Sequence, residues 1–184
     1  MTDLIVQPGQ RAAFHSMEEG TYEDWQIIRG VEPEVPLAEG VLEQLRRIGE
    51  VPGGFAVDRT THSLQTATRA ERAGRSDLYV LAALLHDIGD NLAPANHSEL
   101  AAAVLQPHLP DNLHWMVLHH GEFQLYYFGH FVGADRDGRD RYAGHPWFDL
   151  TAEFCEEFDQ RSFDPDFPTQ PIEHYIPLVR QLIR

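Results

Sequence analysis

A histidine and an aspartate, His86 and Asp87, directly follow an unbroken apolar run from Tyr79 to Leu85. Such a run is typical of a helix that is buried on nearly all sides. An unpaired polar group in that environment costs on the order of several kcal/mol, so a partner must offset the cost. A metal ion bound by both side chains would do so near the helix end, where Gly89 lets the backbone turn away. The alternative is a hydrogen-bonded His–Asp pair at a helix terminus.

Further histidines and one more aspartate fall near the ends of other predicted core helices. Each of them alone is more readily explained as a structural or exposed residue. Together with the central pair, however, they supply four imidazoles and two carboxylates, which is enough for two ions with one bridging carboxylate. The candidate metal ligands are His62, His86, Asp87, His97, His120 and Asp159. His119 is adjacent to His120, and composition alone does not rank the two.

The elements that must position these residues are predicted to be helices joined by short loops. Strand alternation and internal repeats are not evident, so the predicted fold class is all-α. Capping residues mark several helix starts, among them Asp58, Ser76 and Asn96. The predicted helices cover 21–30, 37–48, 59–73, 77–85, 96–105, 111–120, 146–158 and 172–183, and Pro33–Pro36 is a predicted linker.

Chain length and composition indicate a single domain with a full hydrophobic core. The chain has 184 residues, and 42% of them are apolar. We expect residues 1–36 to form an N-terminal arm with a short helix and residues 37–160 to form the metal-binding core. Residues 161–184 are expected to be a C-terminal extension.

Charge and cysteine content restrict the partners and the compartment. The net charge is −15 and all 14 basic residues are arginine, which argues against nucleic acid because phosphate backbones are held by clustered cations. One cysteine, Cys155, allows no internal disulfide. Neither a signal peptide nor an apolar stretch of the roughly 20 residues of a membrane span is evident. We therefore expect a cytoplasmic protein that acts on a small molecule; the oligomeric state does not follow from the sequence.

His62, followed by His86-Asp87-Ile88-Gly89, resembles the HD-domain superfamily, whose members bind one or two metals in an all-α helical bundle. Most members are phosphohydrolases, and a smaller branch consists of oxygenases with a mixed-valence di-iron centre. Three strings resemble segments of one such oxygenase, myo-inositol oxygenase: His62–Ala67, Met116–His120 and Phe154–Asp159. The organisation of residues 37–160 resembles bacterial enzymes that oxidatively cleave hydroxylated aminoethylphosphonates.

This resemblance implies a ligand set, a cofactor and a reaction. His62, His86 and Asp159 would bind one iron, His97 and His120 the other, and Asp87 would bridge them. Asp87, His62 and His120 would then be the catalytic residues. The implied activity is that of an oxidoreductase, a dioxygenase with a mixed-valence Fe(II)/Fe(III) pair and O2 as co-substrate. It would cleave the C–P bond of a hydroxylated (trimethyl)aminoethylphosphonate and release phosphate. The alternative is a metal-dependent phosphohydrolase that acts on a phosphomonoester or a nucleotide.

The substrate-binding residues depart from those of the phosphonate-cleaving enzymes. Where those enzymes have a lysine after the last histidine and an arginine before the last aspartate, this chain has Gln124 and Glu156. One of those enzymes has a tyrosine ten residues before its first histidine, and the matching residue in this chain is Pro52. We therefore expect the substrate to be held differently.

The substrate-binding candidates combine cations, a carboxylate and aromatic rings. Arginines near the ligand segments could bind a phosphonate, and an acidic residue could bind an amine. The aromatic run Phe123–Phe128 could surround a quaternary ammonium group, although packing in the core is the alternative. The candidates are Arg59, Asp90, Gln124, Tyr126, Tyr127 and Arg161.

Overall fold

The structure, a computed structural model, describes residues 9–31 and 36–184. Within these residues it is helical and contains no strand, which confirms the predicted all-α class. The chain divides into two compact units, Met1–Pro36 and Leu37–Arg184. Most of the predicted linker Pro33–Pro36 and the first eight residues of the predicted arm lie outside the described residues. None of the described helices has both the length and the apolar character needed to span a bilayer.

The first unit contains helix α1 (Tyr22–Gly30), which begins at a capping box. The Thr21 hydroxyl accepts a hydrogen bond from the backbone N–H of Asp24 at 3.2 Å, and Asp24 Oδ2 accepts one from the backbone N–H of Thr21 at 3.0 Å. This exchange satisfies two N–H groups that the helix start would otherwise leave unpaired. The predicted helix, its cap and its end at Gly30 are confirmed.

Residues 37–184, all of which the structure describes, form seven α-helices and one π-helical turn. The α-helices are α2 (Leu37–Arg47), α3 (Arg59–Arg72), α4 (Asp77–Leu85), α5 (His97–Leu105), α6 (Asp111–Val132), α7 (Phe148–Glu153) and α8 (Ile172–Leu182). The π-helical turn, Phe154–Asp159, directly follows α7. Short 3-10 turns lie at Ile48–Glu50, Pro94–Asn96 and Gly138–Tyr142.

Helix α4 lies in the core of this second unit. Every side chain from Tyr79 to Leu85 is buried, and α4 packs against α3, α6 and α8. Ser76 caps the helix by accepting a hydrogen bond from the backbone N–H of Tyr79 at 3.4 Å. Because α4 ends at Leu85, His86 and Asp87 lie at the end of the most buried of the described helices.

Two glycines allow α5 to approach its neighbours closely. A Cβ atom at Gly121 would lie 2.6 Å from Ser98 Oγ, and one at Gly89 would lie 3.0 Å from the carbonyl oxygen of His97. The prediction that the helix ends after His120 is wrong, since α6 continues through Gly121 to Val132. Gly121 therefore serves close packing rather than helix termination, and His120 projects from the middle of a long helix.

The chain after residue 145 differs in part from its prediction. The single helix predicted for 146–158 is a short α7 followed by the π-helical turn. Helix α8 contains Pro177 and buries Tyr175 and Val179 in the core. The Tyr175 hydroxyl lies 3.0 Å from Thr68 Oγ1 of α3. Residues beyond 160 thus contribute to the same core as the helices before them.

Candidate metal centre

Six side chains from separate elements converge in the second unit. One lies in the first turn of α3, two follow α4, one begins α5, one lies in mid-α6, and one ends the π-helical turn. They are His62, His86, Asp87, His97, His120 and Asp159, the same six that the sequence predicts as ligands. All are buried except His97, whose side chain is 23% exposed. The structure brings the six together, and their binding of metal stays a prediction.

One group of ligand atoms surrounds His62 Nε2. This atom lies 3.2 Å from His86 Nε2 and 3.2 Å from Asp159 Oδ1. His86 Nε2 is 3.6 Å from the same aspartate oxygen. These three side chains are close enough to bind a single ion.

Asp87 connects this group to a second one. Its Oδ2 atom lies 3.4 Å from His62 Nε2, within the first group. Its Oδ1 atom lies 3.1 Å from His120 Nε2 and 3.4 Å from His97 Nε2. The two oxygens of one carboxylate therefore face two different sets of histidines, which is the arrangement of a bridging ligand.

The other ring nitrogen of each histidine lies against a backbone carbonyl oxygen. The Nδ1 distances are 2.9 Å from His62 to Ser162, 2.8 Å from His86 to Ala83, 3.1 Å from His97 to Pro94 and 2.7 Å from His120 to Val117. A carbonyl oxygen only accepts, so each Nδ1 is the donor and each neutral ring presents the lone pair of Nε2 to the centre.

When the rings are neutral, these lone pairs face each other, so a proton or a metal cation is needed between them. His62 Nε2 and His86 Nε2 face each other at 3.2 Å, and two such acceptors cannot bond to one another. Among the described residues, Asp159 Oδ2 is buried and has no hydrogen-bond partner. Apart from Arg59 Nη1, which donates to Asp87 Oδ2 at 3.3 Å, the facing groups are acceptors when the rings are neutral, and such a set fits one or two metal cations.

The electrostatics of the centre also favour positive charge between the carboxylates. Burial opposes protonation of His86, but the carboxylates of Asp87 and Asp159 raise its pKa to about 9. Burial also disfavours ionised Asp87 and Asp159, yet the neighbouring histidines, led by His86, hold the pKa of both below its ordinary value. Both carboxylates are therefore ionised at neutral pH and available to a cation.

The π-helical turn positions Asp159 at the centre. The sequence gives only a weak indication of this turn. π-Helical turns are rare in proteins, and those that occur are often found at functional sites. Cys155, in the same turn, is buried and lies 3.5 Å from the carbonyl oxygen of His120. Phe154 packs its ring at 5.4 Å from the ring of His86. The turn thus contacts two other parts of the centre besides carrying its last carboxylate.

Three residues near the centre were missed by sequence reasoning. Ser162 provides the carbonyl that orients His62, and Phe163 stacks on the His62 ring at 4.3 Å. Phe55 stacks in turn on Phe163 at 4.9 Å. Phe55 follows the pair Gly53-Gly54, whose backbone freedom was the only available signal. These rings cover one side of His62.

Arg59 pairs with two carboxylates. Its Nη1 lies 3.3 Å from Asp87 Oδ2 and its Nε lies 3.0 Å from Asp90 Oδ2. Its guanidinium carbon is 4.6 Å from the centroid of the Phe55 ring. Two of the predicted substrate residues, Arg59 and Asp90, are therefore paired with each other.

A cavity of about 480 Å³ adjoins the centre. It reaches Asp87, His97, His120 and Asp159, whereas His62 and His86 do not contribute to its wall among the described residues. A small molecule would therefore approach from the side of His97 and His120. Other parts of the wall are Phe55, Arg59, Gln124, Tyr127, Phe128 and Phe163.

The substrate candidates on α6 separate by helical position. Gln124 and Tyr127 lie four and seven residues after His120, so they share its face and line the cavity. Burial raises the pKa of Tyr127 to about 12, so its hydroxyl is neutral at physiological pH. Tyr126 lies outside the cavity wall and packs against Arg139, whose guanidinium carbon is 3.6 Å from the centroid of the Tyr126 ring.

Three other residues from the sequence analysis also lie away from the cavity wall. Phe123 is fully buried and packs at 5.0 Å from the ring of Phe148, so core packing applies to it. His119 packs on Trp115 at 4.3 Å, and burial followed by the charge of His145 lowers its pKa. Arg161 lines a separate hollow.

Comparison with known proteins agrees with this geometry. No curated protein matches the chain significantly. A family model described as HD domain matches residues 59–158, which is more than half of the chain. The match contains five of the six convergent residues, and Asp159 directly follows it. The chain therefore belongs to the HD-domain family, whose members are typically metal-dependent phosphohydrolases or oxygenases.

Proposed function

We propose that this protein binds two iron ions and uses dioxygen to cleave the C–P bond of a hydroxylated (trimethyl)aminoethylphosphonate, with release of phosphate. The overall reaction balances, because a 1-hydroxyphosphonate and one dioxygen molecule give a carboxylate and phosphate. The hydroxylated carbon is oxidised, the C–P bond breaks, and dioxygen is the oxidant. Bound iron would supply the redox chemistry with dioxygen.

The observation that carries this proposal is that the two oxygens of the Asp87 carboxylate face two different sets of histidines. Its two oxygens lie within 3.4 Å of histidines on both sides, so one residue can serve two ions. Imidazole and carboxylate ligands suit iron, and three or four protein ligands per ion leave positions open for small molecules. The cavity supports access to the ion beside His97 and His120.

A metal-dependent phosphohydrolase is the second candidate, and the HD-domain match itself favours it. The same ligands would hold a metal pair that activates water. Oxygenation is favoured by the three strings that resemble myo-inositol oxygenase, Phe154–Asp159 among them. Dependence on dioxygen separates the two candidates.

The cavity offers complementary groups to a substrate with charges of both signs. Arg59 is a guanidinium on its wall and can donate to phosphonate oxygens. Tyr127 and Phe128 present aromatic surface on the same wall, which suits a quaternary ammonium group. The protein would thus orient the substrate by its two ends and leave its hydroxyl and phosphonate oxygens facing the metal ligands.

We expect a trimethylammonio-1-hydroxyethylphosphonate to be processed with a kcat/KM about tenfold or more above that of uncharged 1-hydroxyethylphosphonate. Contacts between a cation and aromatic rings contribute about 0.5–2 kcal/mol each, and two rings would supply this ratio. In Tyr127→Ala the preference should decrease severalfold. The measurement is kcat/KM for the trimethylammonio, amino and uncharged compounds.

Tyr126→Ala is the matched control, because its ring lies against Arg136 and Arg139 outside the cavity wall. It should retain the preference of the wild-type protein. Equal turnover of the charged and uncharged compounds by the wild type would refute the ammonium site. A preference unchanged in Tyr127→Ala would remove Tyr127 from it.

A further inference from the structure

A second hollow lies between the C-terminal part of α3 and the chain around and after the π-helical turn. Its volume is about 430 Å³. Its wall contains four arginines, Arg69, Arg72, Arg75 and Arg161, and two carboxylates, Glu153 and Glu157. The hollow is therefore locally cationic in a chain with a net charge of −15. Among the described residues, it shares no wall residue with the cavity at the metal centre.

Aromatic rings and backbone carbonyls hold the guanidinium groups in place. The guanidinium carbon of Arg69 is 3.8 Å from the centroid of the Phe167 ring, and that of Arg72 is 5.0 Å from it. Arg69 Nη2 donates to the carbonyl oxygen of Arg161 at 2.8 Å, and Arg72 Nη2 donates to that of Pro168 at 2.6 Å. Guanidiniums that are already oriented lose less entropy when they bind a ligand.

These arginines have more N–H donors than the neighbouring acceptors satisfy. In the described part of the chain, Arg69 Nε and Arg75 Nε are buried and have no hydrogen-bond partner. Burial also lowers the pKa of Arg69; the charge of Asp164 opposes this shift, and the charges of Arg161 and Arg72 add to it. Glu153 pairs directly with Arg75, whereas Glu157 compensates little, since its Oε1 lies 3.7 Å from Arg161 Nη2 and both side chains are about half exposed. The hollow thus has unused donors and incompletely compensated positive charge.

We propose that this hollow binds a phosphate group, either as the free anion or as part of a small phosphorylated molecule. A tetrahedral oxyanion has several acceptor oxygens and at least one negative charge, which match the convergent guanidinium forks. Arg161, which sequence reasoning assigned to the phosphonate, takes part in this second site. The inference does not depend on the reaction at the metal centre.

Titration of the metal-loaded protein with inorganic phosphate, at constant ionic strength maintained with chloride, tests the proposal by calorimetry. Wild-type protein should show saturable binding in the hollow. Arg72→Gln and Arg161→Gln should each weaken this binding about tenfold or more, because each removes a charged donor. Both side chains are exposed, so neither substitution disturbs the core. Phosphate bound by the metals would persist in both variants.

The matched control is Arg47→Gln, which removes an exposed arginine that pairs with Glu43 on α2. It should bind phosphate as the wild type does. Phosphate binding that is equal in all four proteins would assign it to the metal centre and overturn the proposal. The absence of saturable binding by the wild type would overturn it as well. A phosphorylated ester in place of phosphate then shows whether the hollow accepts more than the free anion.

Discussion

Asp87→Asn is expected to reduce the bound metal from two ions per chain to one or none and to lower activity by at least about a hundredfold. The substitution keeps the volume of the side chain but removes the negative charge that faces both groups of histidines. An amide nitrogen does not bind a cation, so one of the two groups loses a ligand. Two cations would also lie close together without the shared carboxylate. Metal analysis by mass spectrometry, alongside turnover, is the measurement.

Asp77→Asn is the control, because Asp77 lies in the first turn of the same helix that leads to Asp87 and is exposed. It makes the same chemical change away from the centre and should leave two ions per chain. Circular dichroism of both variants establishes that they are folded. Two ions retained in Asp87→Asn would show that this carboxylate is not a bridge.

Strict exclusion of dioxygen is expected to stop phosphate release from the hydroxylated phosphonate. The proposed oxidation removes electrons from the substrate carbon, and dioxygen would be the acceptor that balances the reaction. Release is measured in air, under argon and after readmission of air to the same sample. Recovery in the last step shows that the protein remained intact during the anaerobic period.

Hydrolysis would give a different result. Water would attack phosphorus, the bond from phosphorus to the leaving group would break, and the leaving group would take up a proton. No oxidation state changes, so dioxygen would have no role; bound metals would supply the activation of the water. Equal phosphate release under argon and in air would therefore assign the protein to the phosphohydrolases of the HD-domain family. Turnover of a phosphomonoester under argon would point to the same conclusion.

Much of the fold could be predicted from local signals in the sequence. Thr21 with Asp24, Asp58 and Ser76 each mark a helix start that the structure contains. The apolar run Tyr79–Leu85 predicted the most buried helix, because only a helix surrounded by others can be apolar on every side. A capping side chain forms its hydrogen bond with a backbone group only a few residues away. Helix starts can therefore be predicted from the local sequence.

The convergence of the six polar residues was also predictable, but their supporting contacts were not. Four histidines and two aspartates placed near predicted helix ends are an unusual concentration of potential ligands. By contrast, Ser162 contacts His62 through its backbone carbonyl, 100 residues away in the chain. A carbonyl is present in every residue, so the sequence carries no mark of this interaction.

Tertiary packing decided the points at which prediction failed. A glycine such as Gly121 often follows the last residue of a helix. Here it lies inside α6, because the close contact with Ser98 leaves no room for a side chain. The continuation of α6 then determines that Tyr127 faces the cavity while the adjacent Tyr126 faces Arg139. Arg161 is two residues from Asp159 in sequence, yet the end of the π-helical turn directs it to another hollow.

The most direct test of a di-iron centre is metal analysis combined with electron paramagnetic resonance of the anaerobic, partly reduced protein. We predict two irons per chain and the signal of a spin-coupled Fe(II)/Fe(III) pair, which should disappear on full reduction. The six convergent residues would supply the ligands for both ions, and Asp87 would supply the path for coupling. One iron per chain with the signal of an isolated ferric ion, or two ions of a redox-inactive metal in active protein, would contradict the account.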